Sequence, residues 1–172
     1  MNSFHTNNYL LVNLYKKNSS KSEVVTQMIY GESFTIINKY SKWIKIRIKE
    51  DGYIGYVKNK KFISYLKPTH KVSVISANIY KNSNLKKKIG KLAYTSKIKV
   101  EKKIAKFAKF QNKWIEIKNI KPIKYKDKNI FRDIKLFKGI KYKWGGKTFN
   151  GIDCSALIQV CLNFNNKFCP RD

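Results

Sequence analysis

Lys42-Trp43-Ile44-Lys45-Ile46-Arg47-Ile48-Lys49-Glu50-Asp51-Gly52-Tyr53-Ile54-Gly55-Tyr56-Val57 sets the architecture of the first part of the chain. Ile44, Ile46 and Ile48 alternate with Lys45, Arg47 and Lys49, the period of a strand with one buried and one solvated face. Glu50-Asp51-Gly52 then turns the chain, and Tyr53 to Val57 supplies a second strand. Phe34, Ile36, Ile98 and Val100 follow the same alternation. Short antiparallel strands of this kind close naturally into small barrels, because closure removes exposed edges.

Working outward, this pattern occurs twice. Asn13-Leu14-Tyr15-Lys16-Lys17-Asn18-Ser19 returns as Asn78-Ile79-Tyr80-Lys81-Asn82-Ser83, and Lys42-Trp43-Ile44-Lys45-Ile46 returns as Lys113-Trp114-Ile115-Glu116-Ile117. A duplicated module is the economical reading, with a longer loop near Lys102 to Phe110 in the second copy. The boundaries expected are 1–66, 67–123 and 124–172, with Pro68 and Pro122 breaking the strand pattern. Trp43 and Trp114, at equivalent repeat positions, are expected in the barrel cores.

Beyond Pro122 the period changes. Ile130, Phe131, Ile134 and Phe137 recur at helical spacing, with Asp127 as a candidate cap and Gly139 as terminator. A second helix is expected over Ser155 to Phe164, with Leu157, Cys161 and Phe164 on one stripe and Cys154 at its amino end. A cysteine there suits a nucleophile, since a helix amino terminus favours the thiolate and a protonated histidine favours it further. The plain alternative is a small buried side chain. Cys161 is expected in the core, and Cys169 in the core or a loop.

Charge and cysteine content bound the function. Lys and Arg total 38 against 10 Asp and Glu, a formal net charge of +28, yet Arg47, Arg132 and Arg171 are the only arginines. Lysines spread from Lys16 to Lys167 read as compositional bias, since phosphate and base recognition favours the arginine fork. No specific nucleic-acid partner is expected; nonspecific binding through net charge would weaken steeply with salt. Three cysteines cannot all pair, and with two distant histidines they give no metal-ligand spacing, so neither a disulfide scaffold, a metal nor a cofactor is expected. No membrane span or leader pattern is legible, which makes the cytoplasm the expected location.

The run from Gly139 through Tyr142, Trp144, Gly145, Gly146, Asp153, Cys154, Ser155, Leu157 and Gln159 to Pro170-Arg171-Asp172 resembles the start of an NlpC/P60 cysteine peptidase domain. Tyr30-Gly31-Glu32 and Gly52-Tyr53-Ile54-Gly55-Tyr56-Val57 resemble a bacterial SH3 module, and two such modules precede it. Ala156, where the family usually carries glycine or another small residue, is a mild departure. The resemblance implies a mainly β N-terminal half of two small SH3-like barrels, followed by the helical start of an α+β papain-like NlpC/P60 domain.

It further implies hydrolysis of γ-D-glutamyl-diaminoacyl bonds in peptidoglycan-derived peptides. Cys154 would be the nucleophile and Tyr142 its neighbour at the developing oxyanion. Asp153 would bind the free amine of the substrate's L-alanine, with Ser155 and Asp172 lining the pocket, and Glu32 with Tyr53 or Tyr56 reaching it from the first module. The family places its histidine base on strands after this helix, and neither His5 nor His70 fits that position. A chain inactive or nearly so by itself, with a loosely held carboxy-terminal segment, is therefore expected. The alternative is a non-catalytic SH3-type protein that binds cell wall or a partner. Oligomeric state is not legible.

Overall fold

A computed structural model describes residues 3–83 and 87–171. It is mainly β. The first sheet contains β1 (Phe4–Thr6), β2 (Leu11–Tyr15), β3 (Val24–Ile29), β4 (Ser33–Lys39), β5 (Trp43–Ile48), β6 (Ile54–Lys58) and β7 (Ile63–Ser64). They pair antiparallel in the order β3-β2-β6-β5-β4-β1-β7. Register places Ile46 opposite Ile36 on one side and Gly55 on the other. Ile44, Ile46 and Ile48 are buried with Leu14, Met28, Phe34 and Val57, as the alternation requires.

The same alternation overturns the expectation for Trp43. It lies on the opposite face from Ile44, half-buried, with its ring edge against Tyr15 at 5.3 Å. Trp114, beside buried Ile115, is likewise half-buried and covered by the Lys102 ammonium. Each tryptophan shields a sheet's outer surface, while the adjacent isoleucine fills the core.

The following residues form β8 (His70–Val72), β9 (Ser76–Tyr80), β10 (Lys88–Ala93), β11 (Lys97–Ile98), β12 (Lys102–Ile104), β13 (Phe107–Phe110), β14 (Lys113–Glu116) and β15 (Ile120–Pro122). They make two sheets, β10-β9-β14-β13-β12 and β11-β8-β15. The longer loop expected near Lys102 to Phe110 is the hairpin β12–β13. The core here contains Val72, Ile79, Leu92, Phe110 and Ile115, together with Tyr30 from the first sheet's territory. Tyr30 meets Phe110 edge-on at 5.9 Å and pairs through its hydroxyl with Gln111.

From residue 124 onward regular structure is sparse: a 3-10 helix (Arg132–Phe137), the two-stranded β16 (Lys147–Thr148) and β17 (Gly151–Ile152), and α1 (Cys154–Phe164). The first expected helix is thus a short 3-10 segment that Asp127 does not cap; Asp127 instead pairs with Arg132 at 2.5 Å. Phe137 is buried, whereas Phe131 and Ile134 are exposed. Gly139 ends the segment at a positive φ of 82°.

The apolar face of α1 is covered, contrary to the loose packing expected of it. Val160, Cys161 and Phe164 are buried with Phe137 and with Tyr94, which follows β10. Tyr94 stacks on Phe164 at 4.9 Å and donates its hydroxyl to Asp133 Oδ2 at 2.8 Å. Each large side chain so buried contributes about 1.5–3 kcal/mol. At the other end of α1, buried Lys71 donates to the carbonyls of Phe164 and, at 2.6 Å, Tyr125. A cation suits the negative end of the helix dipole. Tyr94→Phe is expected to lower unfolding free energy by about 1–2 kcal/mol in urea titrations, because Asp133 loses a buried donor.

Candidate active site

The site is built at the start of α1. Asp153 is extended (φ −96°, ψ 174°) and its Oδ1 accepts from Ala156 N at 2.8 Å, an N-cap that satisfies one free helix donor. Its Oδ2 accepts from Gly145 N at 3.0 Å and from the Arg171 guanidinium. The carboxylate is therefore buried and committed to holding three strands of chain together. Cys154 follows as the first helical residue and is exposed. Its sulfur therefore stands at the amino end of α1, open to solvent.

The paired glycines before β16 let this unit settle against the first sheet. Gly145 has φ +68°, and a Cβ there would stand 2.5 Å from the Val24 carbonyl oxygen; one on Gly146 would stand 2.5 Å from that of Gly151. Only glycine allows the backbone so close. Lys147 N then donates to Gln27 Oε1 at 3.0 Å, continuing the contact along β3.

This docking leaves a cleft of about 220 Å³ between the units, with Cys154, Ser155 and Asp153 on one side and Tyr53, Val25 and Glu23 on the other. Tyr142, 64% exposed, and Trp144 stand at its edge. Trp144 Nε1 donates to Glu23 Oε1 at 2.7 Å, and Lys16 Nζ lies 3.7 Å from Glu23 Oε2. An exposed thiol, a phenol, a carboxylate and an ammonium thus share one opening.

The structure separates the expected site residues. Cys154, Tyr142, Asp153, Ser155 and Tyr53 line the cleft. Tyr56 does not; it packs on Tyr40 at 5.9 Å beneath Lys45. Glu32 is only 2% exposed and lies behind the cleft, where Lys147 Nζ donates to its Oε1 at 2.7 Å and Ile29 N to its Oε2 at 2.8 Å. Lys147 also reaches Asp51 at 3.4 Å. Burial pushes Glu32 up to about 7 against the pull of Lys147. Burial also opposes the Lys147 charge, but Glu32 and Asp51 outweigh it and hold Lys147 above its ordinary value. Asp172 lies outside the described residues.

His5 is in β1, stacked on Phe34 at 5.6 Å, and His70 in β8 bonds Thr69; neither lines the cleft. Sequence reasoning missed Lys16, Glu23 and Arg171. Lys16 and Glu23 bracket the β2–β3 hairpin, where Lys16 N donates to Glu23 O at 3.0 Å, so an unlike-charge pair closing a polar turn was the available signal.

Residues 14–62 match the bacterial dipeptidyl-peptidase SH3 domain. The chain is 24% identical over 194 residues to a γ-D-glutamyl-L-lysine dipeptidyl-peptidase of Bacillus cereus (strain ATCC 10987 / NRS 248), covering 92% of this chain and 55% of that protein. It is 24% identical over 168 residues to the protein of the same name from Bacillus subtilis (strain 168), covering 87% and 56%. A crystal structure of an NlpC/P60 family protein from Bacillus cereus ATCC 10987 superposes over 99% of this chain and 75% of that one, with a TM-score of 0.81 at 18% identity. The fold is that of an NlpC/P60 family protein. The chain spans about half the length of the curated relatives it matches. Within the NlpC/P60 fold, the cleft lies where the SH3 domain of residues 14–62 meets the amino end of α1.

Proposed function

We propose that the chain carries the nucleophile half of a cysteine peptidase site for γ-D-glutamyl-linked peptides of peptidoglycan, built from two SH3-like barrels and the start of a papain-like domain. The observation that carries this reading is the exposed Cys154 thiol at the α1 amino terminus, in one cleft with Tyr142 and Tyr53. The thiol gives up its proton to solvent and the sulfur attacks the γ-carbonyl carbon; the carbonyl oxygen takes the electron pair beside the Tyr142 hydroxyl. Collapse breaks the C–N bond, the nitrogen taking a proton from solvent to leave as the diamino acid amine with a thioester on Cys154. Water then releases the acyl group. No described histidine lines the cleft, so these residues acting alone forgo acid–base assistance worth about 10²- to 10⁴-fold in rate.

Recognition of a free substrate amine falls to Glu23. Asp153 and Glu32 are buried, bonded to Ala156 N, Gly145 N and Arg171 and to Lys147 and Ile29 N, whereas Glu23, although it accepts from Trp144 and pairs with Lys16, keeps a 41% exposed side chain at the opening. Calorimetric titration with L-Ala-γ-D-Glu-L-Lys tests this without requiring turnover. Acetylating the peptide's amine, or Glu23→Gln, is expected to weaken binding by about ten-fold, the worth of one charge-assisted hydrogen bond. Equal affinity for the free and acetylated peptides would overturn the assignment.

A further inference from the structure

Where the start of β4, the segments following β5 and β7 and the carboxy-terminal end of α1 meet, a second cavity of about 250 Å³ opens. Its charge is unbalanced. Lys49, Lys97 and Lys167 face it with a single carboxylate, Glu50, which is already engaged by Lys97 Nζ at 2.8 Å and by Ser33 N. Lys49 forms no ion pair among the described residues; its ammonium rests over the rings of Phe4 and Tyr65, at 5.0 and 5.6 Å. Lys167 is exposed and also forms no ion pair among the described residues. Buried Lys71, behind the wall, adds a further positive charge, directed at the Asn166 amide oxygen at 3.4 Å.

A second observation is independent of charge. Asn163, 8% exposed, forms part of the cavity wall, and its buried Nδ2 has no hydrogen-bond partner. A buried donor without an acceptor costs about 1–3 kcal/mol. Folding tolerates that cost more readily where a ligand supplies the acceptor. The remaining wall is apolar and aromatic, with Pro68, Tyr65 and Phe168.

We infer that this cavity is a binding site for an oxyanion, a carboxylate or phosphate group, carried on a compact apolar body. Lys49 and Lys167 meet the charge, a rotation of the Asn163 side chain in the wall brings its enclosed Nδ2 out to the missing acceptor, and Tyr65 with Phe168 covers the body. Cys154 is not among the lining residues, so the site is separate from the peptidase cleft and stands whether or not the proposed function holds.

The test uses the whole chain at a constant ionic strength of about 0.15 M, which screens diffuse attraction to the lysine-rich surface. Inorganic phosphate, phenyl phosphate and benzoate are titrated while the Asn163 side-chain amide signals are followed by NMR, assigned by their loss in Asn163→Asp. Saturable shifts of those signals are expected with at least one of the two aromatic anions. The Lys49→Gln/Lys167→Gln variant is expected to bind at least about ten-fold more weakly, and Lys102→Gln/Lys103→Gln, with the same charge change on an exposed hairpin, to bind unchanged. Phenyl phosphate alone identifies a phosphate ester; benzoate alone identifies a carboxylate. No saturable shift, or equal weakening in both double variants, would overturn the site.

Discussion

At neutral pH, iodoacetamide is expected to alkylate Cys154 at least ~100-fold faster than Cys161, because the thiolate is the reacting species and access controls the rest. Cys161 is fully buried, and burial pushes its thiol up to about 11. Cys169 is half-buried with a thiol also raised by burial, and its sulfur points to the neighbouring Pro170 carbonyl. Cys154 alone is exposed, as the first residue of α1. Mass spectrometry of tryptic peptides over a time course reads all three together. Saturating γ-D-glutamyl peptide is expected to protect Cys154 selectively. In any form of the protein that turns over such peptides, Cys154→Ala is expected to lower the rate by about 10³-fold or more, as loss of a nucleophile does. Alkylation of the three thiols at similar rates, or activity surviving Cys154→Ala, would remove the basis for the peptidase reading.

Lys147→Met is expected to destabilise the fold by about 3–5 kcal/mol, measured by urea unfolding, because removing one partner leaves buried charge uncompensated. Lys147 lies on β16, while Glu32 and Asp51 belong to the first sheet's territory, so the ion pairs bridge the cleft's two walls from behind. Their response to pH has a definite sign. Glu32 moves from an ordinary 4.5 in the unfolded chain to about 7 in the fold, chiefly through burial. The folded state therefore holds this proton more tightly, and the contribution is full below pH 4.5 and lost as pH rises through 7. At about 1.4 kcal/mol per unit, this group alone adds roughly 2–3 kcal/mol at pH 4.5 relative to pH 8. Lys147 is held above its ordinary value, so its own contribution is lost only in strongly alkaline solution. Glu32→Gln is expected to remove most of the slope between pH 5 and 8, and an unchanged slope would reassign the proton to another group.

The strands were legible because Ile44, Ile46 and Ile48 report their burial by spacing alone, and period-two alternation survives in a short element. The cysteine at a helix start was legible because Asp153 and the apolar stripe of α1 are local signals. What escaped is non-local. Glu32 and Glu23 look alike in the sequence; whether a carboxylate is sealed behind a cleft or open to it depends on Lys147, more than a hundred residues away. The cover over α1 was invisible for the same reason, since Tyr94 sits among residues whose other neighbours serve a different core. The tryptophan misassignment was avoidable: alternation counted from Ile44 already puts Trp43 outside.

Tyr30 gives the molecule a property that a string of independent beads would lack. Its backbone belongs to one lobe and its ring to the interior of the next. These two lobes are riveted rather than merely strung together, while the slot at Cys154 is held by a different tie, the Lys147 ion pairs to Glu32 and Asp51. Exchanging the first lobe for a cousin would succeed only if the newcomer brought its own aromatic rivet, which ties inheritance of one wall of the cleft to inheritance of the lobe beside it.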